Sequence, residues 1–166
     1  MVKMKYLLVG VLMVIIGIVL VVTVLPSEEK RVKKRFHLLS DWVSKSPEEN
    51  SLTMLQKMKD IGTLFLEPCQ LKAQGDSLSG SYTRQEISAY ASSARSHFFE
   101  IDFKFYDLRI AFPEKEVAKA TLTARLTGKL KTGEQVDEIR ELDCLMKKVD
   151  RKWFFSQIEA IEVLKK

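Results

Sequence analysis

The apolar residues of this chain follow three successive patterns: an unbroken run, then a period near 3.6, then strict alternation. Residues 6–25 are uncharged and mostly aliphatic, and Pro26 ends the run. From residue 27 to 45, Val32, Phe36, Leu39 and Val43 recur at four, three and four, the stripe of an amphipathic helix. Ser46-Pro47-Glu48-Glu49 predicts a second helix start, with Ser46 as cap and Glu49 closing a capping box. Gly62 is its natural end, and Leu52, Leu55, Met58 and Ile61 share one face.

Residues 65–73 look extended, with Pro68 marking an edge or bulge. Gly75-Asp76-Ser77 is turn chemistry, and residues 78–82 make a short return strand. Thr83-Arg84-Gln85-Glu86 is a second capping box. It opens a helix to about His97 with Ile87, Tyr90, Ala91 and Ala94 inward. Alternation then takes over. Phe99, Ile101, Phe103 and Phe105 lie on one face, and the phase slips before Leu108 and Ile110, which predicts a β-bulge near Tyr106-Asp107. Ala118, Ala120, Leu122, Ala124 and Leu126 form the next apolar face, and Leu142, Cys144 and Met146 the one after. Residues 131–134 and 149–152 turn, and 153–164 make the last strand. Helices gathered on one face of an antiparallel sheet is the α+β layer solution. The alanine-rich face either lets helices sit close or leaves a hollow.

The unbroken run changes the picture most. Twenty residues from Tyr6 to Leu25, at about 1.5 Å each, span the roughly 30 Å core of a bilayer. The run is too long for a signal-peptide core and lacks a small-residue cleavage site. An uncleaved single-pass anchor at residues 1–26 is therefore expected, followed by one domain at 27–166, with Tyr6 and Leu25 at the membrane boundaries. Lys30, Arg31, Lys33, Lys34 and Arg35 follow it and are expected to meet lipid headgroups. Their number argues for a cytoplasmic domain, whereas a short basic tail before a signal anchor argues for export. The exported reading, in a cell (inner) membrane, is the expectation taken.

Charge narrows the partners. The formal net charge is +5, and much of it lies in the basic run and at Lys3 and Lys5. No basic stripe with interleaved aromatics is present, so nucleic acid is not an expected partner. The two cysteines, Cys69 and Cys144, have no metal-ligand spacing, and His37 and His97 form no local metal motif. No Gly-rich phosphate loop is present, so neither metal nor cofactor is expected.

Two local patterns carry a family resemblance. One is Gly80-Ser81-Tyr82-Thr83 leading into Arg84-Gln85-Glu86-Ile87. The other is the charged hairpin 145–152 leading to Trp153. With the α-α-β-β-α order and the meander, they resemble the nuclear transport factor 2-like (SnoaL-like) cone fold. The resemblance covers residues 27–164. It implies a conical pocket between bent sheet and helices, with Trp42, Tyr90, Phe103, Leu122 and Trp153 as candidate lining. It also implies a choice of functions, since the family holds enzymes and binding modules. A homodimer through the open sheet face is a further expectation.

The enzymes of this fold place an acid, a base or a tyrosine in the pocket. Asp41, Tyr82, Tyr90, His97 and Asp102 are the candidates here, and each has an ordinary structural reading as well. Glu141 and Asp143 alternate on one strand face, where Lys147 nearby favours a solvated surface. With no convergent polar set visible, the expected function is a membrane-tethered, non-catalytic domain that binds a partner protein or a small hydrophobic ligand. The alternative is an isomerase- or dehydratase-like enzyme using two or more of Asp41, Tyr90, His97 and Asp102 as an acid/base set.

Overall fold

The computed structural model describes residues 27–73 and 79–161. The expected anchor with Tyr6 and Leu25, the turn at 75–77 and the end of the last strand lie outside them. Among the described residues no helix is long and apolar enough to cross a membrane. The described residues from Val32 onward belong to one compact unit.

Three helices precede and interrupt a six-stranded sheet. Helix α1 is Glu28–Val43 and α2 is Ser51–Gly62; strands β1 (Phe65–Ala73) and β2 (Gly80–Tyr82) lead into α3 (Arg84–His97). A meander follows: β3 (Phe98–Glu114), β4 (Val117–Leu130), β5 (Gln135–Val149) and β6 (Lys152–Ile161). The sheet order is β2-β1-β6-β5-β4-β3. β1 pairs with β6 in parallel, with Leu71 beside Ile158. The expected purely antiparallel sheet is thus corrected: the long α3 crossover carries the chain from the hairpin edge to the far side of the sheet, and β6 returns alongside β1.

The long strands bend where the pattern slips. β3 loses register against β4 between Tyr106 and Arg109, and Asp107 there has φ 54°. This is the predicted bulge, and it returns Leu108 and Ile110 to the core side. The β5–β6 turn is Asp150-Arg151, both with positive φ, as a two-residue hairpin loop requires. Ala118, Ala120, Leu122 and Ala124 are buried along β4, and α1 lies over this inner face through Val32, Phe36 and Leu39. Phe36 meets Phe105 and Phe155 edge to face, with ring centroids 5.5 and 5.0 Å apart. Ser44 Oγ accepts from the Phe103 backbone N–H at 3.0 Å, which ties the end of α1 to β3.

The helices differ from the expectation in instructive places. The Thr83 capping box forms as predicted: Glu86 N donates to Thr83 Oγ1 and Thr83 N donates to Glu86 Oε2. The Ser46 box does not. α2 starts later, with Asn50 as its cap accepting from Thr53 N at 2.8 Å, because the Glu49 carboxylate is bound elsewhere. On α2 only the second half of the apolar face is covered. Met58 and Ile61 are buried, but Leu52 is 79% and Leu55 66% exposed. On α3, Ala94 is exposed and Tyr90 half-exposed, so neither faces inward as expected. Ile87, Ala91 and Arg95 make the inward stripe instead. Gly62 lets α2 and α3 approach, since a Cβ there would stand 2.5 Å from Ser88 Oγ and 2.7 Å from the Arg84 carbonyl oxygen.

Candidate functional site: an apolar cone beside a buried charge knot

Between the helices and the inner sheet face lies a hollow of about 290 Å³. α1 contributes Phe36, Leu39 and Val43, α2 Ile61, and α3 Ile87 and Ala91. The sheet contributes Phe65 and Leu71 from β1, Phe103 and Phe105 from β3, Leu142 and Cys144 from β5, and Ile158 from β6. Among the described residues, no lining side chain carries a charge, hydroxyl or amide. Cys144 is the one described lining residue with a titratable side chain. Burial, helped by the nearby Asp143 charge and Cys69, pushes its thiol up to about 12. Burial raises Cys69 to about 11. Both cysteines are free and stay protonated at neutral pH, where a thiol is a poor nucleophile.

The nearest phenols stand beside the lining rather than in it. Tyr82 is opposite Cys69 in the β1–β2 ladder, on the inner face, and packs against the core. Tyr90 precedes the lining residue Ala91. The two rings meet edge to face, 5.5 Å between centroids.

Of the residues singled out in the sequence, Phe103 lines the hollow. Trp42 packs on the core beside it, while Leu122 and Trp153 are buried in the core and do not line it. Asp41 is exposed on α1. His97 is exposed at the end of α3, its Nδ1 2.8 Å from the Ser93 carbonyl oxygen. Asp102 faces out and pairs with Lys104 at 2.6 Å. The structure does not bring Asp41, Tyr90, His97 and Asp102 together. Glu141 and Asp143 border a polar cleft on the outer sheet face with Arg109, Thr121 and Thr123, and Lys119 approaches Asp143 at 3.5 Å. No cluster of metal-binding side chains is found among the described residues.

The strongest buried polar arrangement was not expected from the sequence. Arg95 is 1% exposed. Its Nη1 donates to the carbonyls of Trp42, Val43 and Ser44 at 2.5 to 2.8 Å, and its Nη2 to the Glu49 carboxylate. Lys57 Nζ stands 2.6 Å from the other Glu49 oxygen. α1 has no basic residue in its last turn, so Arg95 supplies from α3 the donors that the end of α1 lacks. Burial pushes Glu49 up, but hydrogen bonds from Lys57 and Arg95 outweigh it and hold the carboxyl below its ordinary value. A signal was present: continuing the Ile87–Ala91 stripe by one turn lands on Arg95.

No protein-family model matches the chain, and no curated protein matches it in sequence. Solved structures match it in fold. A hexachlorocyclohexane dehydrochlorinase, LinA-type3 from Novosphingobium barchaimii, superposes with a TM-score of 0.64 at 10% identity, over 81% of this chain and 86% of that one. A protein assigned as a scytalone dehydratase from Novosphingobium aromaticivorans gives 0.65 at 15%, over 82% and 85%. Aln2 from a Streptomyces species gives 0.62 at 12%, over 82% and 92%. These are nuclear transport factor 2-like cone proteins, and this chain shares their α+β fold with a curved, open six-stranded sheet. The expectation of a non-catalytic binding or scaffold domain is corrected by these neighbours, which are mostly enzymes.

Proposed function

We propose that the protein is a small-molecule enzyme of the dehydratase–isomerase kind that works on a substrate held in the cone. The observation behind this reading is a hollow of about 290 Å³ whose described lining is apolar but for one thiol, in a fold shared with a dehydrochlorinase. That volume is at the small end of ligand sites, which suits one ring-sized molecule. An ionised substrate would lose its hydration there without a counter-charge, so the substrate is uncharged. Loss of water and loss of hydrogen chloride are both eliminations: a phenol gives its proton to the departing hydroxyl or halide as the C–O or C–halogen bond breaks, and the phenolate so formed takes the C–H proton as the double bond forms, which regenerates the phenol. Tyr82, on the inner face beside the lining, is assigned that role, and the half-exposed Tyr90 ring packs edge to face against it. The surrounding apolar wall strengthens the phenol's hydrogen bond to the departing group by excluding water.

The test is turnover of a panel of uncharged cyclic compounds bearing a hydroxyl or halide next to an acidic C–H. The wild type is expected to act on members of the panel. The Tyr82→Phe/Tyr90→Phe double variant is expected to lose about 10²- to 10⁴-fold in kcat. No turnover across the panel, or full turnover in the double variant, would contradict the reading.

The run from Tyr6 to Leu25 is proposed as a single-pass anchor that holds the domain 27–166 at a membrane. Its length and lack of charge support this. Alkaline extraction of membranes should leave the full chain in the pellet; release into the supernatant would refute the anchor.

A further inference from the structure

A second place in the molecule gathers positive charge on one aromatic ring. The Arg35 guanidinium carbon lies 5.5 Å from the centroid of the Phe154 ring, and that of Arg84 lies 5.4 Å from the same centroid. The two residues come from different helices and approach the same ring. Arg84 is held further by its Nε, which donates to the Phe65 carbonyl at 2.7 Å. Its two terminal nitrogens have no hydrogen-bond partner among the described residues. Neither arginine has a carboxylate partner among the described residues. Glu86, two residues beyond Arg84, is held by Thr83 N and Oγ1 at 2.8 and 2.9 Å. Lys147 lies directly across the β5–β6 ladder from Phe154 and is exposed. It too has no ion pair among the described residues.

Two partly buried guanidiniums without an acid are unusual. Burial lowers the pKa of Arg35 and nothing raises it, so an anion would relieve a real cost there. A guanidinium stacked on a ring keeps its N–H donors in plane, free to grip a tetrahedral oxyanion with two parallel bonds.

We propose that Arg35, Arg84 and Phe154, with Lys147 beside them, form a recognition site for phosphate groups, and that those phosphates are the headgroups of an anionic lipid surface. Phosphate is the shared chemistry of a lipid headgroup and a soluble phosphate ester. Chain length favours the lipid. Arg35 is ten residues from Leu25, the end of the apolar run, and ten residues reach at most about 35 Å. Lys30, Lys33 and Lys34 crowd the same stretch of sequence, as juxtamembrane headgroup binders do.

The full chain in neutral detergent micelles provides the test, with thermal unfolding followed by tryptophan fluorescence. Adding phosphatidylglycerol to the micelles should raise Tm by about 2–4 °C. Millimolar inorganic phosphate or glycerol phosphate at fixed ionic strength should raise it by less than half as much. Arg35→Gln/Arg84→Gln should abolish the lipid shift, whatever its own Tm. Lys30→Gln/Lys34→Gln should keep most of it. Arg35→Lys/Arg84→Lys, which keeps the charge and loses the forks, should lose more than half. A shift retained in the Gln double variant, or kept whole in the Lys variant, overturns the site. An equal shift from soluble phosphate overturns the lipid assignment.

Discussion

Two buried regions of this domain contrast sharply. The cone is wide enough to hold a molecule and offers it carbon and one protonated thiol. The knot around Arg95 is closed, dense with hydrogen bonds and charged. A buried guanidinium with a carboxylate is the usual mark of a functional centre, yet here it joins the end of α1 to the start of α2 and the last turn of α3. The buried charges of the knot serve the architecture, and the described lining of the hollow is apolar. Burial alone therefore does not locate chemistry; what a buried charge touches decides its role.

The contrast can be broken first at the knot. Arg95→Leu removes donors from three carbonyls and leaves Glu49 with Lys57 alone. It should cost about 3–5 kcal/mol of unfolding free energy in urea titrations, as loss of one partner of a buried ion pair does. A loss below about 1 kcal/mol would mean the knot is not structural. Gly62→Ala comes next. The added methyl meets a backbone carbonyl, so about 1–3 kcal/mol is expected from overpacking. A stabilised variant would show that α2 and α3 are not so close.

Acid sharpens the same comparison more gently. Glu49 is held below its ordinary 4.5 in the folded chain, so the unfolded chain takes up its proton first. The stability this contributes is complete above that ordinary value and is lost as pH falls through the folded one. Glu49→Gln should make the urea midpoint fall less steeply below about pH 4.5, while the cone, with no carboxylate, adds nothing to the slope. An unchanged slope would remove Glu49 from the knot. The smallest effect is predicted for Leu52→Ser/Leu55→Ser. Both residues are exposed, and stability should move by no more than about 0.5 kcal/mol each. A larger loss would show that this face is covered.

The order of elements and most boundaries were legible because they rest on local rules. The Thr83 box, the phase slip at Tyr106-Asp107 and the alanine face of β4 are each contained in a few consecutive residues. The Ser46 box failed because Glu49 answers to Arg95, 46 residues away, and a local pattern cannot see that partner. The α2 face was read correctly as apolar, but period alone cannot say how far a neighbour covers it. The parallel β1–β6 pair was hidden for the same reason: register between distant strands leaves no mark in either one. The cone was foreseen in kind and only partly in detail. Alternation tells which side chains point inward, so Phe103 was found. It does not tell which inward side chains fail to meet, and that failure is what makes a hollow.

The proposed function requires first that the hollow of about 290 Å³ take up an uncharged, ring-sized substrate. Titration with an uncharged, environment-sensitive fluorescent probe of single-ring size tests it most directly, in wild type and in Ala91→Trp, which fills the cone from α3. One saturable site in the wild type, weakened at least about tenfold in a variant that still unfolds cooperatively, is the predicted result. Equal binding in the two proteins, or none in the wild type, would contradict it.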